Sequence, residues 1–224
     1  MVESRKGITE SAMISAIIFD FDGTLAKLTL DKKRAKEEII EIAQKYIEPD
    51  LARRLEQVYV VETVYAIEKH CGPSAERFRK EAFQALSELE VTGSKGKDVF
   101  PYTREVLTKL RHRGLKLAIL SRSCKAALRI AFPDVDEYVD AVSTRDDTRY
   151  TKPHPSHMRG VLAQLGVDPS EAVYVGDQRS DIDTGRTAGV GTIAVLTGGE
   201  TRRDLEAAKP DHVMTDIREL HSVL

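Results

Sequence analysis

Ile17-Ile18-Phe19-Asp20-Phe21-Asp22-Gly23-Thr24-Leu25 is an apolar run that stops on two carboxylates and a glycine. With Ile14 and Ala16 before it, this predicts a strand buried on both faces, the pattern of a parallel sheet covered by helices. Open α/β sheets bind ligands at the carboxyl ends of their strands, so Asp20 and Asp22 are presented to a crevice rather than to the core. Side chains alternate along a strand, so two residues two apart project the same way if the backbone stays extended. One carboxylate can then attack while the other moves protons. Gly23 allows a sharp turn and a close approach of backbone N–H groups to an anion. Taken alone, the same pattern also describes an acidic turn after an ordinary strand.

Beyond residue 98 the chain alternates helical and extended patterns, which argues for βαβ units. Strands are expected at 116–120, 141–143, 172–175, 192–196 and 212–214. Helices are expected at 101–113, with Gly114 as the stop, and at 124–131, 156–165 and 181–188. Polar residues follow strand after strand: Ser121 after the second, Lys152 in a loop after the third, Asp177 and Asp181 after the fourth. Each has an ordinary explanation, as an N-cap, a solvated cation, a turn residue or a first-turn acid. A parallel topology would gather all of them with Asp20 and Asp22 along one sheet edge, and four such coincidences argue for a site.

Residues 27–98 read differently. Ile39, Ile40, Ala43 and Ile47 recur at helical spacing, as do Leu51, Leu55, Val58 and Val61, then Phe78, Ala82, Leu86 and Leu89. Pro49-Asp50 and Gly72-Pro73-Ser74 punctuate these helices, with Asp50 and Ser74 expected as N-caps. The polar run at 92–97 is expected to be a return linker and hinge. The division is therefore a core from 1–26 and 99–224 with an inserted helical domain at 27–98, and residues 1–13 form a loosely held extension.

Composition narrows the function. The 224 residues are 41% hydrophobic and 31% charged, with a formal net charge of −2 and both signs interspersed. Such a chain is globular, has no membrane span, and offers neither a nucleic-acid surface nor a polybasic membrane tether. A cytoplasmic protein is expected, existing as a monomer or homodimer. Cys71 and Cys124 show no metal or disulfide spacing and suit packing. Gly189-Val190-Gly191 resembles a dinucleotide loop but leads into a strand instead of out of one. His154 and His157 lack a third ligand nearby and suit surface or capping roles, whereas Arg122, next to Ser121, could meet an anionic group on a substrate.

The motifs Asp20-Phe21-Asp22-Gly23-Thr24, Leu120-Ser121, Lys152-Pro153 and Gly176-Asp177-Gln178-Arg179-Ser180-Asp181, in that order, resemble those of the haloacid dehalogenase superfamily, on its phosphoglycolate phosphatase-like branch. The resemblance runs over residues 14 to about 196. It implies a Rossmann-like α/β core with an inserted helical cap at 27–98, and Mg²⁺-dependent hydrolysis of a small phosphorylated metabolite. In its terms Asp20 is the nucleophile and Asp22 the acid and base. Gly23, Ser121 and Lys152 hold the phosphoryl group, and Arg122, outside the quoted motifs, is a further candidate for substrate phosphate or else a solvated side chain. Asp20, Asp177 and the Asp22 carbonyl bind the metal, with Asp181 in its outer shell. Asp at position 22 fits phosphoester hydrolysis better than carbon–halogen cleavage, which needs no leaving-group acid. Two alternatives stay open: a sugar phosphomutase resembling β-phosphoglucomutase, and a non-catalytic binding protein on the same fold.

Overall fold

A computed structural model describes residues 13–27 and 30–222. The expected extension at 1–13 therefore lies, apart from Met13, outside the described residues. Among those residues six strands form one parallel sheet: β1 (Ala16–Phe19), β2 (Lys116–Leu120), β3 (Ala141–Ser143), β4 (Ala172–Gly176), β5 (Gly191–Val195) and β6 (His212–Met214). Their order is β3-β2-β1-β4-β5-β6, every neighbouring pair parallel. The order reverses beside β1, which puts the topological switch point at the strand that leads into Asp20.

Alternation along the strands sorts the core into two layers. Odd-numbered Ile17, Phe19, Leu117 and Ile119 pack with Leu107 of α5 (Thr103–His112) and Leu128 of α6 (Lys125–Ala131). Even-numbered Ile18, Ala118 and Leu120 pack with Met158 and Val161 of α7 (Pro155–Leu165). Both faces are thus covered by helices, which explains why these strands carry no polar alternation. The helix α8 (Arg179–Ala188) follows β4 and starts two residues earlier than its sequence pattern suggests. A short helix α9 (Arg202–Ala207) precedes β6. No helix among the described residues is long and apolar enough to cross a membrane.

The chain divides into two compact units, Met1–Leu28 with Asp98–Leu224, and Thr29–Lys97. The second unit contains α1 (Lys32–Ala43), α2 (Pro49–Arg54), α3 (Val60–Glu68) and α4 (Ala75–Ser94) around its own core of Ile39, Val64, Ile67, Phe78, Ala82 and Leu86. Tyr46 meets Phe78 edge-on, with ring centroids 5.6 Å apart, and its hydroxyl donates to Glu81 at 2.6 Å.

Two local expectations for this unit are corrected. Asp50 is not an N-cap: Glu48 holds that position with Pro49 behind it, and Asp50 sits in the first turn paired with Arg53. Pro49 has no N–H to be capped, which moves the helix start upstream. The linker is also shorter than expected, because α4 runs through Thr92 and Gly93 to Ser94, whose hydroxyl donates to the Glu90 carbonyl at 2.8 Å. A single glycine lowers helix propensity by only about 1 kcal/mol, too little to stop a helix of this length. Ser74 does take the cap position of α4, without a side-chain hydrogen bond.

Phe78 is fully buried at the centre of the helical unit. Phe78→Ala is expected to destabilise that unit by about 3 to 5 kcal/mol, read as a lower urea midpoint by circular dichroism.

Candidate active site

The site forms where β1, β2 and β4 end. Hydrogen bonding continues one residue past each of the first two strands: the Asp20 N–H donates to Val175 at 2.8 Å and the Ser121 N–H to Ser143 at 2.9 Å. These ties anchor the first site residues to the sheet rather than to a loose loop. After Asp20 the chain folds back sharply, with Thr24, Leu25 and Ala26 all donating to the Phe21 carbonyl and Gly23 at φ +95°.

Lys152 is the buried hub. Its Nζ donates to Asp20 Oδ1, to Tyr174 Oη at 2.7 Å and to Asp181 Oδ1 at 2.8 Å. Burial alone would lower the affinity of this amine for its proton, but the Asp181 and Asp20 carboxylates outweigh it and raise the pKa, so the group is an ammonium. Asp181 is fully engaged, since its Oδ2 also accepts from the Gln178 N–H at 3.0 Å.

Asp177 is the opposite case. It is 1% exposed, and neither carboxylate oxygen has a hydrogen-bond donor among the described residues. Glycines wall it in: a methyl group at Gly23 or at Gly198 would overlap its carboxylate. One oxygen each from Asp20, Asp177 and Asp181 lie within 4.8 Å of one another. Three carboxylates against one ammonium would leave two negative charges uncompensated if all three ionised. Hard oxygen donors with that deficit fit a small divalent cation. Burial first, then the charges of Asp20 and Asp181, push the Asp177 carboxyl up to about 9. Burial raises Asp20 as well, with Lys152 as the main opposing influence.

The other expected residues are close by in the chain's contacts. Asp22 Oδ2 accepts from Ser123 Oγ at 2.5 Å. Ser121 Oγ accepts from the Ser123 N–H at 3.1 Å, which leaves its own proton to donate. The Arg122 guanidinium is turned to Gln178 at 3.3 Å and to Ser180 at the start of α8. His154 caps α7, its Nδ1 accepting from the Ser156 N–H at 3.3 Å. His157 corrects the expected surface or capping role. It is buried, and its Nδ1 accepts from the Lys152 N–H at 3.1 Å. Burial and the Lys152 charge push its pKa down to about 3, so it stays the neutral acceptor that this bond requires.

Sequence reading did not single out Ser123, Tyr174, Thr197 or Gly198. Thr197 Oγ1 donates to the Gly23 carbonyl at 2.5 Å and so ties the loop after β5 to the loop after β1. The Thr197-Gly198-Gly199 run at a fifth strand end was the available signal for that loop.

A profile described as haloacid dehalogenase-like hydrolase matches residues 17–195. Pyrophosphatase PpaX of Bacillus cereus (strain AH820) is 34% identical over 122 residues, which are 54% of this chain and 56% of PpaX. The match thus spans about half the length of this curated relative. A hydrolase from Pseudomonas syringae superposes with a TM-score of 0.68 at 22% identity, covering 93% of this chain and 97% of that one. CbbY from Rhodobacter sphaeroides, solved in complex with phosphate, superposes with a TM-score of 0.64 at 22% identity, covering 93% and 96%. At these identities the two structures speak for the fold.

The Asp177 proton and a divalent cation would compete for the same carboxylate. Its folded pKa lies above the unfolded value, so the metal-free fold holds this proton more tightly than the unfolded chain does. The stability this provides is lost as pH rises towards about 9. Divalent-cation affinity is correspondingly expected to rise about tenfold per pH unit between roughly pH 6 and 8, because binding releases the proton. Titration calorimetry with Mg²⁺ checks the slope, and a pH-indifferent affinity contradicts it. Gly198→Ala is expected to weaken binding at every pH by displacing the Asp177 carboxylate.

Proposed function

Because the chain belongs to the haloacid dehalogenase-like hydrolase family, we propose that it is a Mg²⁺-dependent phosphatase acting on phosphate monoesters of small metabolites. The observation that carries this reading is the buried, donorless Asp177 carboxylate beside Asp20 and Lys152. Such a charge deficit suits a site that takes a divalent cation and then a dianionic phosphate.

In this reading Asp20, Asp177 and the Asp22 carbonyl hold Mg²⁺, and Asp181, already saturated by Lys152, Tyr174 and Gln178, supports from the outer shell. The cation, when bound, offsets the repulsion between a carboxylate nucleophile and the phosphoryl oxygens. A carboxylate oxygen of Asp20 attacks phosphorus in line, and the bond from phosphorus to the ester oxygen breaks. Asp22, held by Ser123, gives its proton to the departing alkoxide. Asp22 then takes a proton from water, which attacks the aspartyl phosphate, frees inorganic phosphate and restores Asp20. The Ser121 hydroxyl and the Lys152 ammonium stabilise the transferring oxygens, and Arg122 serves the phosphate from its place beside α8, whereas the Gly23 N–H, expected to hold the phosphate, donates to the Ala26 carbonyl at 2.9 Å and shapes the turn. The helical unit at 27–98 acts as a cap that admits small esters.

Asp20→Asn is expected to lower hydrolysis of p-nitrophenyl phosphate by about 10⁴-fold or more, with the fold retained. Residual wild-type turnover removes Asp20 as nucleophile. Asp22→Asn is expected to lower turnover of alkyl phosphates by about 10² to 10⁴, and to harm p-nitrophenyl phosphate less, since an activated leaving group needs less help from an acid. Chelation by EDTA should silence the enzyme and Mg²⁺ restore it. A panel of phosphoglycolate, sugar phosphates and pyrophosphate, scored for free phosphate and for isomerised product, identifies the substrate class and separates hydrolysis from mutase chemistry.

A further inference from the structure

Tyr174 belongs to the buried cluster, yet the phosphoryl-transfer scheme gives it no task. It lies on β4 at 1% exposure, and its ring points into the layer shared with Ile18 and Leu120. Its hydroxyl accepts from Lys152 Nζ at 2.7 Å and has Asp181 Oδ1 at 3.1 Å and the Leu120 carbonyl at 3.5 Å as acceptors for its own proton.

An ammonium has three N–H groups. Asp20, Asp181 and Tyr174 take all three of those on Lys152. A contact between Lys152 and a phosphoryl oxygen therefore requires one existing partner to be given up. Two of the partners are carboxylates, whose charge-assisted bonds are roughly twice as strong as a bond to a neutral oxygen. Tyr174 is the neutral one. Burial, with the nearby Asp181 and Asp20 charges, holds its phenol far above its ordinary pKa, so it does not become an anion that would bind the ammonium more tightly. The flexible four-carbon stem of Lys152 lets the head group turn. A displaced Tyr174 hydroxyl keeps Asp181 as its acceptor, so the exchange leaves no buried proton unpaired.

We propose that Tyr174 is a positioning residue that holds the third N–H of Lys152 in the free enzyme and releases it to a phosphoryl oxygen when a phosphate-bearing ligand arrives. The idea rests on the proposed function for its ligand, but its readout is binding rather than turnover.

Removing only the hydroxyl removes the bond that phosphate must displace. Tyr174→Phe is therefore expected to bind inorganic phosphate about three- to tenfold tighter than wild type in saturating Mg²⁺, the change that one net hydrogen bond produces. Titration calorimetry measures this directly, and phosphate inhibition of p-nitrophenyl phosphate hydrolysis gives the same ratio as an inhibition constant. Unchanged or weaker phosphate binding in the variant overturns the exchange. A second measurement leaves the core intact: 3-fluorotyrosine placed at position 174 should shift its ¹⁹F resonance when phosphate is added to the Mg²⁺-saturated protein, and an unmoved resonance also overturns it. The two readings fail separately. Wild type that hydrolyses no ester, with tighter phosphate binding in Tyr174→Phe, sinks the phosphatase alone. An active wild type with equal phosphate affinity in both forms sinks the exchange alone.

Discussion

Three carboxylates are buried around a single ammonium, and the resulting charge deficit is the constraint on which the rest of this structure depends. An ionised group removed from water without a partner costs several kcal/mol even after relaxation. The fold meets that cost unevenly. Asp20 and Asp181 share Lys152, whereas Asp177 has no donor and holds its proton until something stronger replaces it. A cluster arranged for stability alone would pair every oxygen, and Asp177 is the exception, which is why the proposed function centres on it.

The isolation of Asp177 is enforced by backbone, not only by side chains. Gly23 and Gly198 come from loops after two different strands, and both close on the Asp177 carboxylate where any larger residue would collide. Thr197 joins the two loops through the Gly23 carbonyl. Ser123 and His157 play comparable parts on the other side, the first fixing the Asp22 carboxylate and the second the backbone of Lys152. Asp22 and Lys152 are thus each held by a neighbour to which the proposed scheme gives no chemical role, which is how a site on short loops acquires the precision that catalysis needs.

Much of the architecture was legible beforehand because burial on both faces writes a continuous apolar run into each central strand. The ends of those runs located Asp20, Ser121 and Asp177 to within a residue of the sheet edge. Short elements were harder. The six residues of α9 are too few for a helical period to register, although Thr201 and Asp204 do form the capping pair that could have signalled its start. The end of α4 is not written in the local pattern, because the propensity of Thr92 and Gly93 yields to the continuing helix.

The sequence by itself determined the alternation of strands and helices and the acids and the lysine that stand beyond the strand ends, because these follow from periodicity and order along the chain, and the resemblance of those motifs pointed to the family. Only the tertiary structure decided which oxygens are free. The saturation of Asp181, the isolation of Asp177 between two glycines, the burial of His157 and the contact of Tyr174 with Lys152 all join residues far apart in the chain. Hydrogen bonding and desolvation depend on distance in space, and no local pattern encodes that distance until the sheet has brought its strand ends together.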